Sequence, residues 1–207
     1  MFWQINDVFR DDIALGYTTM PRERTTSDVM LTLQDDYERT YIEVLVLADE
    51  LHRKSTKRLR KEYEFHARQF VRAVFAYIEA VTFSLKARSA WHCIKKKIGI
   101  TPEERYFATD IEYQIDDKGS VVEGVAKIPL AKNIRFGISL ARRAYGVGEP
   151  FDASSSWWSS MKASIKVRDR LTHPKWPDDL DISETEVATM WEALTGFQAE
   201  LTSYPKK

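Results

Sequence analysis

The sequence predicts a mainly α-helical protein: a helical bundle with a small inserted β-hairpin at about 110–128 and an N-terminal extension. Three observations predict it. Apolar residues recur at helical spacing over several long stretches. Helix punctuation falls at their ends: Ser183 three residues before Glu186, Gly146 after Tyr145, and Pro174 after His173. One stretch alone changes to alternation around turn residues. The extension, with one helix, is expected over 1–58 and the bundle over 59–207, the whole forming one compact domain.

Taken in order, residues 1–34 hold no long period, and Pro21 interrupts them. Val29 to Leu33 fits a short strand or a helix start. Asp35 and Asp36 suit the N-cap of a helix running to about Arg53, with Tyr41, Val44, Leu45, Ala48 and Leu51 as its stripe. A basic run follows: His52, Arg53, Lys54, Lys57, Arg58, Arg60 and Lys61. It reads as a solvated face, with a phosphate-tracking patch as the alternative.

Lys61 to about Ala87 is the strongest helix, with Phe70, Val74, Ile78, Val81 and Leu85 as its seam and Val71, Phe75 and Phe83 widening it. Arg72, Glu79 and Lys86 recur every seven residues and so share a face. That face reads as a charged outer stripe, or else Glu79 is the anion for a buried arginine elsewhere. Ser89 to Ile98 fits a further short helix. Thr101-Pro102-Glu103-Glu104 starts a helical turn with proline in first position. Ile111, Tyr113 and Ile115 then alternate with polar residues, Asp116-Asp117-Lys118-Gly119 turns the chain, and Val121, Val122, Val125 and Ile128 return it. Ala131 to Tyr145 is a helix closed by Gly146. Another helix begins near Ser154–Ser156 and runs to Pro174. After the turn-rich Lys175–Asp181 stretch, Ser183 and Glu186 form a capping box and Ile182 and Val187 a staple. The last helix packs through Val187, Trp191, Leu194, Phe197 and Leu201.

Composition narrows the function classes. Lys plus Arg and Asp plus Glu number 31 each among 207 residues, which excludes a grossly basic coat for nucleic acid but leaves room for a local basic groove. Cys93, the one cysteine, excludes an intrachain disulfide and a cysteine-rich zinc site, and reads as a small buried side chain. The 4 histidines are scattered, so no metal site is expected. P-loop, Rossmann glycine, His-Glu-x-x-His and Gly-x-Ser-x-Gly motifs are lacking, and no cofactor is expected. No stretch approaches about 18 apolar residues. A cytoplasmic protein without a membrane partner is expected.

The candidate site lies where the Ser154–Pro174 helix ends. With Trp157 set at zero, Met161, Ser164, Ile165, Leu171 and Thr172 fall within about 80° of it, while Lys162, Lys166 and Arg170 fall on the far side. Arg168 does not join those cations. It sits about 20° from Trp157, in the apolar arc, where an arginine needs an anion or a wet cleft. Pro174 pushes His173 out of the helical region, so its ring can swing back toward Arg168. Asp169, one turn before His173, is placed to orient one ring nitrogen. Arg170 and Lys175 flank the pair. Trp176 either packs the turn or stacks on a base.

Arg168-Asp169-Arg170-Leu171-Thr172-His173-Pro174 resembles the signature of the HEPN superfamily: an arginine, about four to six residues, then a histidine, with a polar residue such as Asp directly after the arginine. The likeness covers about Arg60 to Leu201, outside the segment near 110–128. It implies a helical bundle that pairs with a second copy, so that two motifs meet in one cleft. It also implies a metal-independent endoribonuclease working in defence, toxin or RNA-processing systems, with RNA as substrate and an antitoxin or defence-system protein as a further partner. Arg168, His173 and Asp169 would be catalytic, Glu79 supporting, and Arg170, Lys175 and Trp176 RNA-binding. Some members of the superfamily only bind, so a non-catalytic RNA- or protein-binding assembly module is the alternative. The subgroup with a tyrosine two residues after the histidine is a poor fit, because Lys175 stands there.

Overall fold

Helix-favouring sequence with widely spaced stops gives six α-helices, one 3₁₀ turn and one two-stranded sheet among the described residues. The structure is a computed structural model, which describes residues 26–204. The part of the expected extension before Thr26 lies outside them. The elements are α1 (Thr26–Arg53), α2 (Lys57–Lys96), α3 (Pro102–Ala108), β1 (Ile111–Ile115), β2 (Val121–Val125), α4 (Leu130–Tyr145), α5 (Ser156–Thr172), the 3₁₀ turn Pro177–Leu180 and α6 (Glu184–Thr202). The mainly α class and the inserted hairpin are as the sequence predicts. Two compact units divide the chain: one up to Ile78 together with Ala153 onward, the other from Glu79 to Asp152.

Two helix boundaries differ from expectation. α1 begins at Thr26, not at Asp35. Asp35 and Asp36 sit inside it, and Asp35 is paired across one turn with Arg39 at 2.7 Å. An acid with an i+4 partner is a surface helical residue as readily as a cap. α2 absorbs the separate helix expected over Ser89–Ile98. No glycine or proline lies between Lys57 and Ile98 to stop it.

In the first unit the core draws on α1, the first half of α2, α5 and α6. Phe70 and Val74 are fully buried, as are Met161, Met190, Leu194 and Phe197. Tyr37 of α1 stands edge-on to Tyr77 of α2 at 5.1 Å, and its hydroxyl accepts a 2.7 Å bond from Gln198 of α6. Tyr41 stacks on Trp191 of α6 at 3.9 Å. The capping box expected at α6 is present: the Ser183 hydroxyl accepts from the Glu186 amide at 3.2 Å, and the Glu186 carboxylate accepts from the Ser183 amide at 2.9 Å. Gly196 brings α6 close to α5. A Cβ there would collide with Trp157.

The second unit holds the end of α2, α3, the hairpin and α4. Ala90, Cys93, Ala108, Leu140 and Ala144 form its small-residue core, flanked by Ile98, Ile100, Phe136 and Tyr145. Burial pushes the Cys93 thiol up. Strand register pairs Ile111 with Val125 and Ile115 with Val121. The Asp116 carboxylate closes the turn by accepting from the amides of Lys118 and Ser120, at 2.9 and 2.8 Å, and Gly119 takes the positive φ of 78°. Lys86 corrects the expected outer stripe: it is fully buried, while Arg72 and Glu79 are exposed. Its ammonium donates to the Asp110 carboxylate and, at 3.1 Å, to the Phe107 carbonyl. Gly137 leaves room for its stem, since a Cβ there would lie 3.1 Å from Lys86 Cγ.

Candidate functional site

α5 presents two chemically different faces. Its buried side carries Trp158, Met161, Ser164, Ile165 and Leu171. Arg168 belongs to that arc by helical angle, and its side chain is 32% exposed. Nη1 donates to Asp169 Oδ1 at 3.1 Å. The carboxylate expected to orient His173 is thus engaged with Arg168 instead. Asp169 meets His173 through the main chain, its carbonyl accepting the His173 amide at 3.0 Å. Glu79 is exposed on α2, in the other unit.

His173 ends α5. Its φ of −129° and ψ of 59° lie outside the helical region, as the following proline requires. The imidazole is exposed.

Arg170 is occupied by structure rather than open to steer a ligand. Its Nε donates to the Asp179 carbonyl at 3.1 Å, and Nη2 also reaches the Asp181 carbonyl. Nη1 and Nη2 together clasp the Glu186 carboxylate, at 2.5 and 3.1 Å. This bidentate pair is the stronger kind of ionic hydrogen bond. The bond from Arg170 holds the Glu186 carboxyl below its ordinary value, and the same bond raises the guanidinium further. One side chain therefore ties α5, the 3₁₀ turn and the cap of α6 together. The sequence showed Glu186 only as a capping residue. Its second role follows from a carboxylate having oxygens enough for both.

The turn after His173 is fixed by Asp179. That carboxylate accepts the amides of Lys175 and Trp176 at 2.7 and 2.9 Å, and these two bonds depress its pKa. Sequence reading missed Asp179; its place three residues after Trp176, at the start of a short helical turn, was the available signal. The Lys175 and Trp176 side chains point outward, and Trp176 is 72% exposed. The indole does not pack the turn.

A groove of about 570 Å³ runs between α5 and α6; Lys162 and Lys166 on it lie about 120–160° around α5 from Arg168, and Ser164 about 40°. Ser159, Lys162, Ser164, Lys166, Arg170 and Glu186 are among its lining residues. A smaller cavity of about 390 Å³ includes His52, Arg60, Tyr63 and Glu184, with His52 Nε2 3.2 Å from Glu184 Oε1. Among the described residues no three His, Cys, Asp or Glu side chains converge as metal ligands, and no helix is long and apolar enough to cross a membrane. Comparison with protein-family models, curated proteins and solved structures finds no match for this chain.

Proposed function

We propose that the chain is a metal-independent endoribonuclease of the HEPN type, cleaving RNA in a cleft formed by two copies of itself. The observation that carries the reading is Arg168, set in the buried arc of α5 yet 32% exposed, one turn before the exposed His173. Its guanidinium is paired with the carboxylate of Asp169, which is itself 57% exposed. Exposed pairs of this kind contribute about 0–1 kcal/mol, so a phosphodiester can displace Asp169. The freed carboxylate then stands one turn from His173, where it can orient the ring.

In the reaction, neutral His173 takes the proton of the RNA 2′-hydroxyl, and the 2′-oxygen attacks phosphorus. The bond to the 5′-oxygen breaks, and the protonated His173 of the second copy supplies that oxygen with a proton. Arg168 stabilises the charge growing on the nonbridging oxygens. Acid, base and charge stabiliser are all side chains, so the step uses no metal. The products are a 2′,3′-cyclic phosphate and a 5′-hydroxyl. A second copy is needed because one chain offers one such histidine, and a two-fold axis places equivalent patches together. Trp176, exposed on a turn pinned by Asp179, is the stacking surface for a base, and Lys175 is the adjacent phosphate contact. A defence, toxin or RNA-processing role, with an antitoxin or defence-system protein as partner, fits this chemistry.

RNA incubated with the protein in EDTA tests the reading. Cleavage should yield cyclic-phosphate ends and fall about 10²–10⁴-fold in His173→Ala, the usual worth of acid–base help. Trp176→Ala should weaken RNA binding by about 1–3 kcal/mol. The second reading is a binding or assembly module of the same fold. The Arg168–Asp169 pair and the capping position of His173 favour it. RNA left intact by the wild type, with binding and self-association unaffected by His173→Ala, would select it.

A further inference from the structure

α1 has a second apolar face, turned away from the core, and the structure assigns it to contact with a second copy of this chain. The inward face of α1 carries Met30, Tyr37 and Val44, all buried. With Ile42 set at zero, these three lie between about −120° and −160° around the helix. Leu31, Ile42, Leu45 and Val46 lie between about −60° and 40°, on the far side, and all four are exposed. Ile42, near the middle of the stripe, is 59% exposed. A helix that packs on one side only carries polar and charged residues on the other. A run of large aliphatic side chains there marks a surface that another protein covers.

Charge identifies the occupant. Two ion pairs bracket the apolar residues: Asp35 with Arg39 at 2.7 Å, and Asp49 with Arg53. All of these charges lie between about −20° and 60°, on the same face. In both pairs the acid comes first and the base one turn later. A second α1, turned end for end about the level of Val44, sets Asp35 opposite the partner's Arg53 and Arg39 opposite the partner's Asp49. Ile42 then stands opposite the partner's Val46. A two-fold axis repeats each of these contacts, so the stripe is complementary to itself. Parallel alignment in register would instead set acid on acid and base on base, which is disfavoured. Exposed pairs within one helix contribute little by themselves, so they lose little by sharing partners across the axis. The face holds no residue of the α5 motif, so this contact stands whether or not the chain cleaves RNA.

Sedimentation velocity of the full chain over a series of concentrations tests the contact. The wild type should self-associate. Asp35→Arg with Asp49→Arg makes the stripe wholly basic, and Arg39→Glu with Arg53→Glu makes it wholly acidic. Each double variant alone should show a lower mass than the wild type at the same concentration, half in the case of a dimer. Mixed in equal amounts, the two should recover the wild-type mass. Ile42→Asp should lower the mass as well. All of these positions are exposed, so the variants should fold, which circular dichroism and the urea midpoint check. A wild type that is monomeric at every concentration overturns the proposal. Thiol labelling of Ile42→Cys then identifies the true occupant: slow labelling assigns the face to another segment of the same chain, and fast labelling to a different protein. Double variants that singly keep the wild-type mass also overturn it, because association then runs through another face, such as the two-motif cleft. Mass lost in each variant and not recovered on mixing overturns the antiparallel register.

Discussion

At the scale of single residues, adjacent positions on α5 divide the work. Arg170 is held by the Asp179 carbonyl and the Glu186 carboxylate, whereas Arg168 is paired with the exposed carboxylate of Asp169. The Arg170–Glu186 clasp makes a pH-dependent contribution with a defined sign. The folded-state pKa of Glu186 lies below its ordinary 4.5. Its stabilisation is therefore complete above that value and is lost as pH falls through the folded value. Urea unfolding from pH 7 down to pH 3 should show Glu186→Gln less stable at neutral pH and less acid-sensitive than the wild type. Lys86 makes the opposite kind of case. Burial lowers its pKa, and Asp110 only partly offsets that. Asp110→Asn leaves a buried charge without its counter-ion and should cost about 3–5 kcal/mol. Asparagine tolerates the φ of 55° at this position, so backbone strain does not confuse the result. Lys86→Met leaves behind only a carboxylate that is 26% exposed, and should cost markedly less. Equal losses for the two variants in denaturant titration would contradict this account.

At the scale of elements, legibility tracked the contrast between faces. α6 was readable because its cap, staple and stripe agree: Ile182 and Val187 are both buried at 4%. The hairpin was readable because alternation and turn chemistry coincide, and Gly119 takes the conformation that glycine supplies most cheaply. α1 was only partly readable. Ile42, Val44, Leu45, Val46 and Leu47 follow one another closely, so more than one apolar face can be drawn; Val44 is buried and Leu45 is 49% exposed. The α5 motif was legible as Arg168 in an apolar arc followed by His173 at a stop. The partners of Arg170 were not, because they come from the 3₁₀ turn and α6, and helical angle says nothing about neighbouring elements. Lys86 was misplaced for the same reason: a heptad spacing fixes which residues share a face, not which part of that face another element covers. The α5–α6 contact yields its own test. Gly196→Ala sets a methyl against Trp157 and should destabilise by about 1–3 kcal/mol, seen as a lower urea midpoint with an unchanged slope.

At the scale of the whole molecule, the two units carry separate features. The proposed catalytic motif, the exposed Trp176 and the α5–α6 groove belong to the unit closed by α6; the hairpin and the buried Lys86 belong to the other. The hairpin leaves Ile115, Val121 and Val125 at least 70% exposed. The nuclease proposal requires two chains, because one provides a single His173 to serve as both acid and base. Adding His173→Ala chains to wild-type chains should therefore lower the activity of the wild type by more than dilution alone, because each mixed cleft keeps one imidazole and lacks either the acid or the base. The most direct measurement is end-group analysis of RNA treated with the wild-type chain in EDTA. The account predicts 2′,3′-cyclic phosphate and 5′-hydroxyl ends that disappear in His173→Ala; uncleaved RNA, or fragments ending in a 3′-hydroxyl, would contradict it.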